Sequence, residues 1–290
     1  MQMNPSFHAL RVGLWASLAV LVWLVLPDRY LGPYKAWNPH AIMEFVIAIF
    51  AISLLGRLAI HLLGAHYGLL LSGLMGGFVS STATIHTMGT IARSQPSWAE
   101  RAALAGVLSN LATLLQLLVL LKLLAPALLD VFIQPVCFGM GGMCGYAAWV
   151  LLSNAGFKTD YVAAEEAVPF DWKSLLSLTA MVCGVSLAAA GLNSAFGQDG
   201  LWLGAGLSGL VDAHAIIPTM AALLTQEKLR PVDALLPLLI ALTANTLTKT
   251  LLAFQSGGWV YAKNVAIGVW VMAGSVWIGY LSHPFETWGG

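Results

Sequence analysis

The sequence predicts an all-α integral membrane protein with about nine transmembrane helices, glycine-interrupted helices and an internal repeat. Its 290 residues have a mean hydropathy of +0.81. Only 9% of them are charged, against about 25% in a typical soluble domain. Apolar runs of about twenty residues, long enough to cross a bilayer core, follow one another along the chain. Two glycine-rich stretches 132 residues apart resemble each other.

Nine apolar segments are the predicted helices. They lie near 9–26, 41–63, 67–92, 99–124, 127–152, 174–196, 200–224, 232–254 and 262–282. The first contains Arg11 and then a long apolar run without a small-residue cleavage site, which indicates a spanning helix and not a signal peptide. The connections between segments hold most of the charge, as expected of loops in water or at the interface. The whole chain, 1–290, is predicted to form one polytopic membrane domain.

Lys and Arg in the connections predict the orientation in the membrane, because cytoplasmic loops carry an excess of both. If every segment spans, one side holds Arg29, Lys35, Arg93, Arg101, Lys158, Lys173, Lys228 and Arg230, and the other Arg11, Arg57, Lys122 and Lys263. The bias is about two to one, so the first side is predicted to be cytoplasmic. This places the N-terminus outside and the C-terminus inside, in a plasma (inner) membrane.

Segments 3 and 4 resemble segments 7 and 8. The stretch "GLLLSGLMGGFVSSTATIHTM" (68–88) aligns with "GLWLGAGLSGLVDAHAIIPTM" (200–220), with nine of 21 positions identical. After a shift of three residues, "LSNLAT" matches "TANTLT" and places Asn110 opposite Asn245. The repeat halves are about 41–152 and 174–282, with the first helix outside them. The repeats are parallel if every segment spans, and re-entrant segments would change this.

Asp212 and His214 are the leading candidates for a functional site. Both lie about halfway along segment 7, where a charged side chain costs roughly 2.5–3.5 kcal/mol on insertion scales. Asp212 is interpreted as a proton or cation site, as the partner of a buried base, or as the cap of a broken helix. With His214 it forms the candidate metal site. The two are expected to face Ser80, Thr82 and His86 across the repeat interface.

The remaining candidates lie around the glycine motifs. The stretch "SSTAT" holds Ser80, Ser81, Thr82 and Thr84, and could start a half-helix that attracts an anion or offer oxygens to a cation. The alternative is that its hydroxyls bond back to their own helix. In segment 8, Lys249 either neutralises Asp212 or extends to the interface. Polar residues of this region complete the predicted substrate site: His86, Asn110, Asn245 and Thr248.

The motifs "GLMGGFVSSTAT", "GLSGLVDAHA" and "ANTLTK", with "VLPDRYLGPYKAWNPH" before them, resemble the prokaryotic membrane domain of unknown function number four thousand and ten. The resemblance covers about residues 15–282. That domain often follows a membrane domain of the MgtC/SapB type, which implies a link to magnesium physiology. The family's second motif usually reads GLVDxDA, and His214 replaces its second acid here. This departure disfavours an all-carboxylate cation site.

Three classes of function remain. The first is a transporter or channel for a small ion or solute, with magnesium implied by the resemblance. The second is a regulatory or assembly subunit that binds another membrane protein. An intramembrane enzyme is disfavoured, since no H-E-x-x-H, G-x-S-x-G or paired-aspartate motif is present. No cofactor is expected. No nucleic-acid partner is expected either, because the net charge is zero and a phosphate-binding surface needs clustered Lys and Arg. The bundle is compatible with a monomer or a homodimer.

Overall fold

The computed structural model describes residues 5–63, 68–153 and 172–282, and in this part of the chain the α-helices number eight. Lys158, which counted in the predicted orientation, lies outside the described residues. The helices are α1 (Pro5–Val25), α2 (Pro39–Leu63), α3 (Gly68–Ser94), α4 (Ala99–Leu124), α5 (Pro126–Ser153), α6 (Trp172–Val211), α7 (Ile217–Thr225) and α8 (Leu235–Leu281). Short 3-10 helices lie at Pro33–Lys35, Pro96–Trp98 and Pro231–Ala234.

Length and hydropathy make this chain a multi-pass membrane protein. Six stretches of the described residues are long and apolar enough to cross a bilayer: Pro39–Ala59, Gly68–Ser94, Pro96–Leu124, Pro126–Ser153, Leu176–Val211 and Pro231–Leu281. The all-helical class predicted from the sequence is therefore confirmed, with six candidate membrane spans in the described residues where nine were predicted. Cys137 and Cys144 are exposed on α5. Their small apolar side chains suit a helix face that lipid can cover.

Two of the long helices fold back on themselves. In α8, Trp277 Nε1 donates a hydrogen bond of 3.0 Å to Thr243 Oγ1, 34 residues earlier. A straight helix would separate these residues by about 51 Å. The reversal lies at Gly258, whose φ of 76° is readily adopted only by glycine. The reversal in α6 lies at Gly197, with φ 61°, and brings Gly204 against Ala189. Each therefore supplies two antiparallel arms.

Helix α3 also folds back, at Ser80. This residue has an extended backbone (φ −169°, ψ 111°) between two helical arms, 68–79 and 81–94. A Cβ built on Gly76 would lie 2.7 Å from Thr84 Oγ1, although a straight helix would hold the two residues about 12 Å apart. The first arm also runs parallel to α4, because Gly73 packs on Ala105 and Gly77 on Ser109. Segment 3 is therefore a helical hairpin.

The chain repeats this arrangement further along. The second arm of α6, 198–211, ends at Asp212, and α7 leads back after a break over 212–216. Gly209 packs against the backbone of Ala241 and its carbonyl accepts a hydrogen bond of 3.2 Å from Asn245 Nδ2. The predicted segment 200–224 is thus two short arms and not one helix. The reason is local, since Asp212 ends one arm and Pro218 lies in the first turn of the next.

Helix α4 occupies the centre of the bundle. Of the 18 residues in its most apolar stretch, 72% are buried, compared with 22% to 50% in the corresponding stretches of the other five candidate spans. It packs against α3 on one side and against α5 and α8 on others. The broken helices therefore reach the middle of the molecule along α4, which positions the polar side chains described next.

Candidate functional site

A cavity of about 230 Å³ lies where the hairpin tip of α3 meets the break between α6 and α7. Helices α2, α4 and α6 complete its wall. The lining residues are Ile49, Phe50, Ser53, Arg57, Val79, Ser80, Ser81, Thr82, Gln116, Leu178, Asp212 and His214. The structure therefore brings both glycine motifs of the sequence to one polar cavity.

Asp212 combines capping with a side-chain pair. Its Oδ1 accepts the backbone N–H of His214 at 2.7 Å and lies 2.8 Å from His214 Nδ1. The carboxylate thus satisfies a free donor at the break, as an N-cap does. The Asp212 side chain is 41% accessible, through the cavity, whereas that of His214 is only 7% accessible. Both residues line the cavity, and Asp212 is the more accessible of the two.

Thr113 on α4 connects the two tips. Its backbone oxygen lies 3.2 Å from His214 Nε2, and its hydroxyl donates to Ser81 Oγ at 2.9 Å. His214 belongs to the break after α6, whereas Ser81 begins the second arm of α3. One residue of the central helix therefore holds both broken elements in place.

Lys249 is buried in the same network. Only 2% of this residue is exposed. Its Nζ donates to Asn110 Oδ1 at 2.7 Å and to Thr113 Oγ1 at 3.4 Å. The interpretation that Lys249 extends to the membrane interface is wrong, because its ammonium has these partners inside the bundle.

Some hydroxyl groups of α3 line the cavity, and others form hydrogen bonds within their own helix. Ser80 Oγ accepts the backbone N–H of Ala83 at 3.2 Å and so caps the second arm. Thr84 is buried, and its hydroxyl donates to the Ser80 carbonyl at 2.8 Å. This is the predicted alternative in which a hydroxyl bonds back to its own helix. Ser81 and Thr82 line the cavity.

Six of the predicted site residues do not line the cavity: Thr84, His86, Asn110, Asn245, Thr248 and Lys249. His86 is exposed on the second arm of α3, so it does not face Asp212. Asn245 and Thr248 donate to backbone oxygens of the facing arm, Gly209 at 3.2 Å and Leu210 at 3.1 Å. These two side chains hold helices together and leave the cavity to others.

Sequence reasoning missed Arg57 and Gln116. Arg57 was counted only among the charges that predict the orientation, yet it lies within α2 and lines the cavity. The sequence did contain an indication of its role, because an arginine inside the apolar run 39–63 is costly in a membrane. Gln116 is buried on α4 and donates to the Phe78 carbonyl at 3.1 Å. Its amide in the run "LATLLQLLVLL" was a similar indication.

The cavity offers little to a divalent cation. Among the described residues, no group of three or more His, Cys, Asp or Glu side chains could hold a metal. Asp212 and His214, the predicted metal pair, bind each other. Zn²⁺ and Mg²⁺ sites need additional protein ligands or several oxygens, which this wall does not supply from acidic side chains.

The fold and site define a polytopic helical membrane protein with a polar cavity between broken helices. The family model described as "Domain of unknown function (DUF4010)" matches residues 47–257, and the chain belongs to this family. The matched range contains both hairpin tips and Lys249. The resemblance inferred from the motifs is therefore confirmed. No curated protein and no solved structure matches this chain.

Proposed function

We propose that the protein is a membrane transporter or channel that carries a small ion or solute through the cavity around Asp212. One observation carries this proposal: two helices break and turn back deep in the bundle, and their tips share one polar cavity. In a membrane, non-helical backbone is tolerated where protein buries it or where it lines a water-filled space. A binding or conducting site is the role that such breaks serve.

The tight contacts support an internal repeat. Gly77 packs on the backbone of Ser109, and Gly209 packs on that of Ala241. Both members of the second pair follow those of the first by 132 residues, the offset of the two motifs. The same offset relates Ser80 to Asp212, and the side chain of each accepts a backbone N–H from a residue two or three positions later. This unshifted register pairs Asn245 with Thr113 and replaces the pairing of Asn110 with Asn245.

The hairpins favour inverted repeats over parallel ones. If α3 is re-entrant, it begins and ends on one side of the membrane. The three spans α4, α5 and the first arm of α6 then lead to the other side, from which 198–225 enters and returns. This topology has seven spans and two re-entrant hairpins in place of nine spans. Transporters built from inverted repeats bind substrate near the bilayer midplane, at the interface of the repeats.

This topology changes the basis of the predicted orientation. Arg93 and Arg101 would lie on the side opposite Lys228 and Arg230, although all four were counted together. The two-to-one bias of Lys and Arg then disappears. The location of the termini stays a prediction, as does the plasma membrane as the site of the protein.

A flux measurement on the purified protein in liposomes tests the proposal. The liposomes are loaded in separate preparations with Mg²⁺, Na⁺, sulfate, phosphate, succinate or alanine, and release is followed against protein-free liposomes. We expect wild type to accelerate the release of at least one of these probes, and Asp212→Asn to reduce it. Arg230→Gln is the matched control, because Arg230 is exposed and pairs with Asp233 away from the cavity.

Two results would contradict transport through this cavity. One is a folded wild-type protein that accelerates none of the probes. The other is release that Asp212→Asn and Arg230→Gln leave equally unchanged.

A further inference from the structure

The second arm of α3 carries a polar stripe, formed by Thr82, His86 and Thr90, that begins in the cavity. Thr82 lines the cavity wall, and the other two residues follow it at intervals of four. Residues four apart lie on one face of a helix, so the three side chains form a row along the arm. Thr82 is partly buried, whereas His86 and Thr90 are exposed. The stripe therefore runs from the cavity along the outer face of the arm.

The outer end of this arm lies near the membrane surface. Arg93 is exposed there, and its Nη2 donates to the Gln255 carbonyl at 2.6 Å. An exposed charged side chain belongs at the interface and not among lipid chains. His86 lies eight residues before Ser94, which is about 12 Å along the helix, and half of the hydrocarbon core is about 15 Å thick. His86 is therefore at the depth of the lipid chains.

An imidazole at this depth needs polar surroundings. Within the described residues, the His86 ring has no hydrogen-bond or ion-pair partner. Because Cα–Cβ bonds tilt toward the start of a helix, His86 leans toward the cavity end of the arm and away from the membrane surface. The Thr90 hydroxyl bonds to the Thr87 carbonyl of its own helix at 2.7 Å, so His86 is the more demanding residue. A polar side chain without a partner is costly in lipid, which indicates water along this face.

The returning arm of the second hairpin is different. At the offset of 132 residues, the three positions of the stripe correspond to His214, Pro218 and Ala222. All three are buried, and so is every residue of α7 from 217 to 223. The arm of α3 thus presents a polar face to the outside of the bundle, whereas α7 is enclosed by protein.

From the stripe, the depth of His86 and the continuity with the cavity, we propose that the outer face of the second arm of α3 lines a water-filled path. This path connects the cavity with the membrane surface at Ser94, and solute enters or leaves along the polar stripe. The buried α7 closes the cavity on its own side, and a site reached from one side at a time is what alternating access requires. The inference rests on the proposed function and names the entrance to that site.

Thiol accessibility tests the path without a flux measurement. The three native cysteines are replaced by alanine, and Thr82→Cys, His86→Cys or Thr90→Cys is introduced singly. A charged, membrane-impermeant thiol reagent is then added to intact cells and to inverted membrane vesicles. Thiolates form in water but are disfavoured in lipid, so we expect His86→Cys and Thr90→Cys to react at least about tenfold faster than a lipid-facing cysteine. They should react in the preparation that labels Ser94→Cys.

Leu207→Cys is the control matched for depth and exposure. Leu207 is 54% exposed and lies five residues before Asp212, much as His86 lies six residues after Ser80. The exposed residues on this face of the second arm of α6 are all apolar: Leu203, Leu207 and Leu210. Lipid suits such a face, so we expect no labelling of Leu207→Cys in either preparation.

Modification of the path should also reduce flux. A bulky charged group attached at His86→Cys or Thr90→Cys occupies the entrance, so release of the transported probe should fall below that of the same variant before labelling. The cysteine-free protein, treated with the same reagent, should show no change. If one of the variants does not fold, the other two positions of the stripe give the same readout.

The path is refuted if His86→Cys and Thr90→Cys react no faster than Leu207→Cys. An oxidant that then cross-links two copies through His86→Cys would assign the stripe to an interface between copies, and absence of the cross-link would assign it to lipid. Labelling only in the preparation that leaves Ser94→Cys unlabelled would also contradict the path. Labelling of a protein that moves none of the probes would contradict transport but retain the path. Labelling that leaves flux unchanged would retain transport and contradict the stripe as its entrance.

Discussion

At the scale of the residue, Asp212 shows how one side chain can serve local structure and a site together. Its Oδ1 accepts the backbone N–H of His214 and contacts the ring of the same residue. The capping and pairing interpretations of the sequence were alternatives that the geometry combines. Lys249 gives the complementary lesson, because a position in sequence did not reveal that Asn110 and Thr113 would hold its ammonium inside the bundle.

Two substitutions at Asp212 separate the two roles. Asparagine caps helices about as well as aspartate, whereas loss of a cap to alanine costs about 0.5–2 kcal/mol. We therefore expect Asp212→Ala to lower the free energy of unfolding by about this amount, and Asp212→Asn to lower it less. Both should reduce flux of the transported probe to a similar extent, because both remove the charge. Denaturant unfolding in detergent, with the liposome assay beside it, measures the two effects.

Full flux in Asp212→Asn would assign this residue to capping alone. Equal losses of stability in the two variants would instead show that the charge, and not the cap, stabilises the break.

At the scale of the element, the broken arms lie close to their neighbours along glycine contacts. A Cβ on Gly77 would lie 2.7 Å from Ser109 Cα, and one on Gly209 would lie 2.6 Å from Ala241 Cα. Real Cβ atoms do not approach backbone this closely, so either the arm or the facing helix must move. The small residues therefore let each hairpin pack directly against a helix backbone, as small-xxx-small contacts do in membranes.

Alanine at these glycines is expected to destabilise the protein. Gly77→Ala and Gly209→Ala should each lower stability by about 1–3 kcal/mol, the usual cost of overpacking. Gly274→Ala is the matched control on α8, because a Cβ there meets nothing within 4 Å. It should be neutral or slightly stabilising, since alanine favours helix over glycine. Melting temperatures in detergent compare the three variants, and equal values would show that the contacts are looser than the structure indicates.

At the scale of the whole molecule, the two hairpins decide which loops share a side of the membrane. With nine spans, the connections at Ser94 and at Lys228 lie on the same side. With two re-entrant hairpins, they lie on opposite sides. The difference follows from the reversals at Ser80 and over 212–216, and not from any change in hydropathy.

Cysteine labelling distinguishes the two topologies. Cys137, Cys144 and Cys183 are first replaced by alanine, and Ser94→Cys or Lys228→Cys is then introduced at an exposed position. A membrane-impermeant maleimide should label only one of the two single-cysteine proteins in intact cells, and both after permeabilisation. The cysteine-free protein must retain flux, which controls for the background. Labelling of both proteins, or of neither, in intact cells would refute the re-entrant arrangement.

The sequence by itself determined the class of the protein and much of its inventory. Hydropathy depends on composition over about twenty residues, so the apolar segments and the membrane class followed from it directly. The cost of polar groups in lipid singled out Asp212 and His214, and the 132-residue offset related the two motifs.

Only the tertiary structure decided which apolar segments turn back, that Arg57 joins the cavity, and that His86 does not. These outcomes depend on the backbone angles of a few residues and on contacts between positions far apart in sequence, such as Thr113 with Ser81 and His214. Composition and periodicity do not encode such contacts, because the same apolar helix can cross a bilayer or fold back according to what packs against it.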